Sequence, residues 1–211
     1  MPLFYQQDIN ESTRLGVWHI QEEESFFSGS VPLQRNITHP HKRLQHLAGR
    51  YLLRFLFDDF PYDLIRIADT RKPFLHNEQY HFSISHSGDF AAAIVSRDKR
   101  VGIDVENRSP TVMKVLHKFL NESEKHFVGK DENIKAFLRE TLLWSVKETI
   151  FKWHGDGGVD FSEHIIVKTF SCHEKGIIDC LFQQEFTALL PVHYRIMDEL
   201  CISWVSSDHT G

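Results

Sequence analysis

Two acids one residue apart open the chemistry of this chain. The segment Val101-Gly102-Ile103-Asp104-Val105-Glu106 reads as a β-strand, on which side chains at i and i+2 share a face, so Asp104 and Glu106 project together. Neighbouring carboxylates repel unless something positive stands between them. A hard cation such as Mg²⁺ meets that need, because it takes oxygen ligands and commonly bridges to a substrate phosphate. The alternative is an exposed strand end with two solvated acids.

A second group lies in Trp144-Ser145-Val146-Lys147-Glu148-Thr149-Ile150-Phe151-Lys152. On a helix Trp144, Glu148 and Lys152 share one face at i, i+4 and i+8. Glu148 and Lys152 could form a plain surface pair, yet the surrounding helix is apolar on nearly every side, and charges in its middle call for a reason. A third group combines Arg71-Lys72-Pro73-Phe74 with Phe82-Ser83-Ile84-Ser85-His86-Ser87-Gly88. It sets a cation beside a stiff proline and offers hydroxyl and imidazole donors at a strand end, which suits an anion or an ordinary polar hairpin. Sequence neighbours on a strand face opposite ways, so Ser85 and His86 cannot make a serine-protease pair. Arg43, His46, Arg50 and Arg54 form a basic stripe along one helix flank, either a solvated edge or, with Lys42, His39 and His41, a phosphate-attracting surface.

The elements that must carry these groups follow from spacing. Arg14–Ile20 predicts a strand. Thr38 then caps a helix with Pro40 in its first turn and Leu44, Leu47, Ala48, Tyr51, Leu52, Phe55 and Leu56 on its apolar face. Strands are expected at Asp63–Ala68, Tyr80–Ser85 and Phe90–Ser96, the last two joined through Gly88. The second half opens with the strand Arg100–Glu106 and continues with two short helices between Pro110 and Lys130. A long, largely buried helix then runs from Glu132 to Trp153 and stops at Gly155. Strands at His164–Phe170, Ile177–Phe182, His193–Met197 and Leu200–Val205 complete the chain. Each half therefore reads strand, long helix, three or more strands. That order predicts an α+β pseudo-dimer of two similar halves, 1–98 and 99–211, with the active site between them.

Composition narrows the class. The 211 residues are 41% hydrophobic and 12% aromatic, enough for a core and against a disordered chain, a collagen-like fibre or a disulfide mini-protein. The net charge of −5 argues against a surface devoted to nucleic acid. No apolar run reaches the roughly 18 residues of a membrane span, and Met1–Asp8 lacks the basic-then-apolar pattern of a signal peptide. Cys172, Cys180 and Cys201 are odd in number and hold no C-x-x-C pair, so reduced thiols and a cytoplasmic location are expected.

In this order, Lys72-Pro73, Phe82-Ser83-Ile84-Ser85-His86-Ser87, Gly102-Ile103-Asp104-Val105-Glu106 and Trp144-Ser145-Val146-Lys147-Glu148 with Lys152 resemble the 4′-phosphopantetheinyl transferase superfamily, in its surfactin-synthetase-activating (Sfp) type. The resemblance runs from about Pro40 to Val205. It implies transfer of the 4′-phosphopantetheine arm of coenzyme A to a serine of an apo acyl or peptidyl carrier protein, releasing 3′,5′-ADP, by a monomer with the coenzyme between its halves. Asp104, Glu106 and Glu148 would then hold Mg²⁺, Glu148 and Lys152 would be catalytic, and Lys152 would also touch the pyrophosphate. Arg43, His46, Lys72, Ser85 and His86 would contact the coenzyme, while Trp144 would pack and fix its helix. The chain departs from the pattern with Arg71 where many members carry glycine before Lys-Pro, and with only Arg35 upstream where paired basic residues are expected. Apolar and basic residues between Val112 and Lys130 would either dock the carrier or pack on the core. A coenzyme-binding module without turnover and a Mg²⁺-dependent pyrophosphate hydrolase are the competing classes.

Overall fold

The helix that carries the amphipathic stripe is capped one residue later than expected. In the computed structural model, which describes residues 2–32, 36–108, 111–126, 128, 137–198 and 200–208, the helix spans Pro40–Leu56. The residue before it, His39, is the N-cap, its ring accepting from the Lys42 amide at 3.5 Å. Thr38 therefore lies outside the cap, since a helix opening on Pro40 leaves only His39 in the capping position.

The elements in chain order are β1 (Leu3–Asp8), β2 (Thr13–His19), α1 (Glu24–Ser28), α2 (Pro40–Leu56), β3 (Ile65–Ile67), β4 (Pro73–Leu75), β5 (His81–Ser87), β6 (Phe90–Ser96) and β7 (Arg100–Asn107). There follow α3 (Thr111–Phe119), α4 (Glu122–Lys125), α5 (Leu138–His154), β8 (Ile165–Val167), β9 (Lys175–Gln183), β10 (Thr187–Met197) and β11 (Leu200–Ser207). The expected strand at Asp63–Ala68 is shorter, because Tyr62–Leu64 forms a 3₁₀ turn directly after Pro61. The long helix begins at Leu138; the part expected at 132–136 lies outside the described residues.

The fold is α+β, with antiparallel sheets in the orders β1-β2-β6-β5 and β7-β11-β10-β9-β8, and a small β3-β4 pair. The two larger sheets share one connection pattern. In each, the strand preceding the long helix (β2 or β7) lies beside the last strand (β6 or β11), which lies beside the one before it (β5 or β10). The helix α2 covers β2 and β6, and α5 covers β7 and β11. Apolar clusters form under α2 and under α5, and a third joins Leu15, Val17 and Ile94 of the first sheet to Ile103, Val105 and Ile202 of the second. No helix among the described residues is long and apolar enough to cross a membrane.

Two local features bring α5 onto the acidic strand. Gly155 closes the helix in a left-handed conformation, φ +79°, with its amide on the Phe151 carbonyl. Gly102 gives the helix room, since a Cβ there would stand 2.2 Å from the Thr149 carbonyl oxygen and 2.9 Å from the Trp153 nitrogen. Gly102→Ala is therefore expected to force α5 off β7 and cost about 1–3 kcal/mol. Urea unfolding checks this; unchanged stability would contradict the close packing.

Candidate active site

The site is assembled where an edge of each sheet meets the other. Ser83, Ser85 and Ser87 alternate along β5, so their hydroxyls leave one face together. Each accepts a backbone N–H of β7: Ile103 at 3.2 Å, Val105 at 3.3 Å and Asn107 at 3.1 Å. The two strands are not backbone-paired, so side-chain oxygens satisfy donors on the edge of β7 that would otherwise cost about 1–3 kcal/mol each if buried unpaired.

Two of these hydroxyls also donate to the acids. Ser85 donates to Asp104 Oδ1 at 2.8 Å and Ser87 to Glu106 Oε2 at 3.0 Å. From α5, the Lys152 ammonium donates to Asp104 Oδ1 at 2.6 Å and to Ser85 Oγ at 2.8 Å, and stands 4.0 Å from Glu148 Oε2. The positive group required beside paired carboxylates is thus supplied by the chain itself. Asp104 is 2% exposed. Its Oδ2 is buried and has no hydrogen-bond partner among the described residues.

Burial and mutual repulsion govern the protonation of these groups. Glu106 is pushed up to about 7, mainly by burial and then by the Asp104 charge. Glu148 is also pushed up to about 7, by burial and by Asp104, with Lys152 opposing. Burial disfavours the Lys152 ammonium, but Asp104 and Glu148 outweigh it and hold the pKa above the ordinary lysine value. His86 lies on the other face of β5 from Ser85; burial and then Lys152 lower its pKa.

The donor set suits a hard divalent ion, as the orphaned Asp104 Oδ2 among carboxylates indicates. Among the described residues, however, no three of His, Cys, Asp and Glu are gathered closely enough to cage an ion by themselves.

Lys72 reaches the same region from the first half. Its Nζ donates to the Trp153 carbonyl at 3.3 Å, and burial followed by Arg100 lowers its pKa to about 8. A cleft of about 200 Å³ runs past Thr70, Lys72, Ser83, Phe151 and Lys152, and one of about 290 Å³ opens beside Lys72, Tyr80, Arg100 and Asp156. Arg71 has φ +67°, a left-handed conformation that favours glycine, which gives a physical reason for glycine in the family pattern at this position. Arg43 and His46 line neither cleft. Arg43 pairs with Glu24 at 2.7 Å, and His46 is buried and accepts from Arg50 at 3.0 Å. Of the four residues of the stripe, Arg54 is the exposed one, stacked over Tyr62, while Lys42 and His39 are exposed at the start of α2. Arg35 lies outside the described residues.

Three contacts escaped the sequence reading. Trp144 packs on Phe119 and Phe161 as expected, but its indole also donates to Glu106 Oε1 at 3.0 Å. Ser87, treated there only as part of the motif, holds the other oxygen of the same carboxylate. Lys147 and Glu124 form a fully buried ion pair at 2.8 Å, completed by the Phe161 and Ile165 carbonyls and the Val167 amide. The regular Ser-x-Ser-x-Ser alternation was the one legible sign of the ladder.

Comparison with known proteins bears on the same region. Residues 100–199 match the 4′-phosphopantetheinyl transferase superfamily. Similar proteins include the 4′-phosphopantetheinyl transferase gsp of Aneurinibacillus migulanus, 30% identical over 114 residues, 53% of this chain and 46% of that protein. The L-aminoadipate-semialdehyde dehydrogenase-phosphopantetheinyl transferase of Homo sapiens is 30% identical over 162 residues, 68% of this chain and 50% of its own. The enterobactin synthase component D of Shigella flexneri is 31% identical over 114 residues, 53% and 54%. The chain spans about half the length of these curated relatives. The acidic strand β7 and the α5 motif both lie inside the segment that is similar to the 4′-phosphopantetheinyl transferase superfamily.

The raised carboxyl pKa values make the metal-free fold sensitive to alkali. An acid whose folded pKa exceeds its unfolded value stabilises the fold fully below about 4.5, and that contribution is lost as pH rises through about 7. In excess chelator the protein should lose on the order of 1–2 kcal/mol between pH 5 and 8 through these two groups. Glu148→Gln should flatten that slope in urea titrations at each pH; an equally steep slope would contradict the shift.

Proposed function

We propose that the chain transfers the 4′-phosphopantetheine group of coenzyme A to a serine hydroxyl of an apo acyl or peptidyl carrier protein, releasing 3′,5′-ADP. The observation that carries this reading is the Lys152 ammonium bound to Asp104 and Ser85 and facing Glu148, within the segment that matches the superfamily. Mg²⁺ held by Asp104, Glu106 and Glu148 would neutralise charge on the diphosphate.

The remaining chemistry falls to side chains. The serine oxygen attacks the β-phosphorus, the bond to the 3′,5′-ADP oxygen breaks, and the hydroxyl proton passes to Glu148 directly or through a water. Lys152 stabilises negative charge on the departing group. Ser85 and His86 would contact the phosphates, and Lys72, which lines the 200 Å³ cleft, would supply the cation beside the adenosine. For Arg43 and His46 the same service requires the coenzyme to reach α2, where Arg43 would exchange Glu24 for a phosphate.

Carrier proteins are acidic, and this chain is itself net negative, so docking needs a local positive face. Lys114, His117 and Lys118 are exposed on α3 and supply one. Val112 and Phe119 of the same helix are spent on the core. Phe127 lies outside the described residues, and nothing is described of the Met113 side chain.

Incubation with coenzyme A, Mg²⁺ and a panel of apo carriers should add a phosphopantetheine mass to at least one. Asp104→Ala, Glu148→Gln and Lys152→Ala should each lower that rate by about 10²-fold or more, whereas Arg54→Ala should be mild. Coenzyme binding with no mass gain on any carrier would mark a binding module, and phosphopantetheine released without a carrier would mark a hydrolase.

A further inference from the structure

The Glu106 carboxylate is gripped at both oxygens by donors from opposite halves of the molecule. Trp144 of α5 donates to Oε1 at 3.0 Å, and Ser87 of β5 donates to Oε2 at 3.0 Å. Neither donor is free to turn. The Ser87 oxygen already accepts the Asn107 amide at 3.1 Å, which directs its single proton to the acid. The Trp144 ring is wedged between Phe119 and Phe161, with centroids at 5.0 and 5.7 Å. Packing alone does not demand an indole N–H or a hydroxyl at these places. Each bond occupies one lone pair of one oxygen and leaves another for a ligand.

We propose that Ser87 and Trp144 are positioning residues that fix the plane of Glu106 toward the divalent ion assigned to Asp104, Glu106 and Glu148. The proposal rests on that reading of the site. Partners that orient a metal-binding side chain are worth about 10–100-fold in metal affinity. The serine ladder contains its own control: Ser83 accepts the Ile103 amide at 3.2 Å in the same joint but donates to no carboxylate among the described residues.

The test titrates Mn²⁺ into protein saturated with coenzyme A, without a carrier, following the free ion by electron paramagnetic resonance. Ser87→Ala and Trp144→Phe should each weaken Mn²⁺ binding by about 10-fold or more, while coenzyme affinity in chelator stays within about two-fold. Ser83→Ala should lower thermal stability yet leave Mn²⁺ affinity within about two-fold. Wild-type Mn²⁺ affinity in both Ser87→Ala and Trp144→Phe would overturn the positioning role, as would an equal loss in Ser83→Ala. A wild-type protein that binds no Mn²⁺ would overturn the metal assignment itself, and this proposal with it.

Discussion

The outward edge of β7 must find partners for its amides, and the way it does so organises the site. A neighbouring strand could pair them with backbone carbonyls; here three serine oxygens of β5 do it instead. A hydroxyl can accept and donate at once. The groups that join the two sheets therefore have a proton left over, and two of them spend it on Asp104 and Glu106. Structural joint and acidic site are made by the same atoms. Displacing β5 from β7 would both strand buried amides and release the carboxylates.

Charge balance is the second constraint. Asp104 and Glu106 on β7 and Glu148 on α5 bring three carboxyls to one region, with the Lys152 ammonium among them. One cation cannot satisfy three anions, and burial removes the water that would otherwise screen them. The surplus is visible in the two glutamates raised to about 7 and in the unpartnered Asp104 Oδ2. Such a region gains from any further positive charge, and its ammonium is poised for an anion. The buried Lys147–Glu124 pair, five residues from Lys152, shows the contrasting case. There both partners are fully hydrogen-bonded and enclosed, so the run Trp144–Glu148 places an enclosed lysine directly beside a glutamate that faces Lys152.

The elements were legible wherever periodicity was strong. The stripe of α2, the near-uniform apolarity of α5 and the alternation of β7 lie close to their expected positions. The residue types of the edge strand β1, Leu3-Phe4-Tyr5-Gln6-Gln7-Asp8, do not alternate although its burial does, and the short β4 spans only Pro73–Leu75; both escaped for want of a pattern in the sequence. The surroundings of the basic stripe on α2 were not legible, because helical spacing says which residues share a flank and not what covers it. Glu24, from α1, takes up Arg43, while burial encloses His46 and Arg50.

The residue types at the site, their faces on strand and helix, and the need for a cation beside Asp104 and Glu106 follow from the chain alone, because they depend on local geometry of period 2 or 3.6. Which cation stands there, which donors hold each carboxylate oxygen, and that Lys147 pairs with Glu124 while Lys152 turns to Asp104 were decided by tertiary packing. Those outcomes join residues 19 to 67 positions apart. A contact at such separation is set by how sheets and helices pack, for which local spacing carries no information.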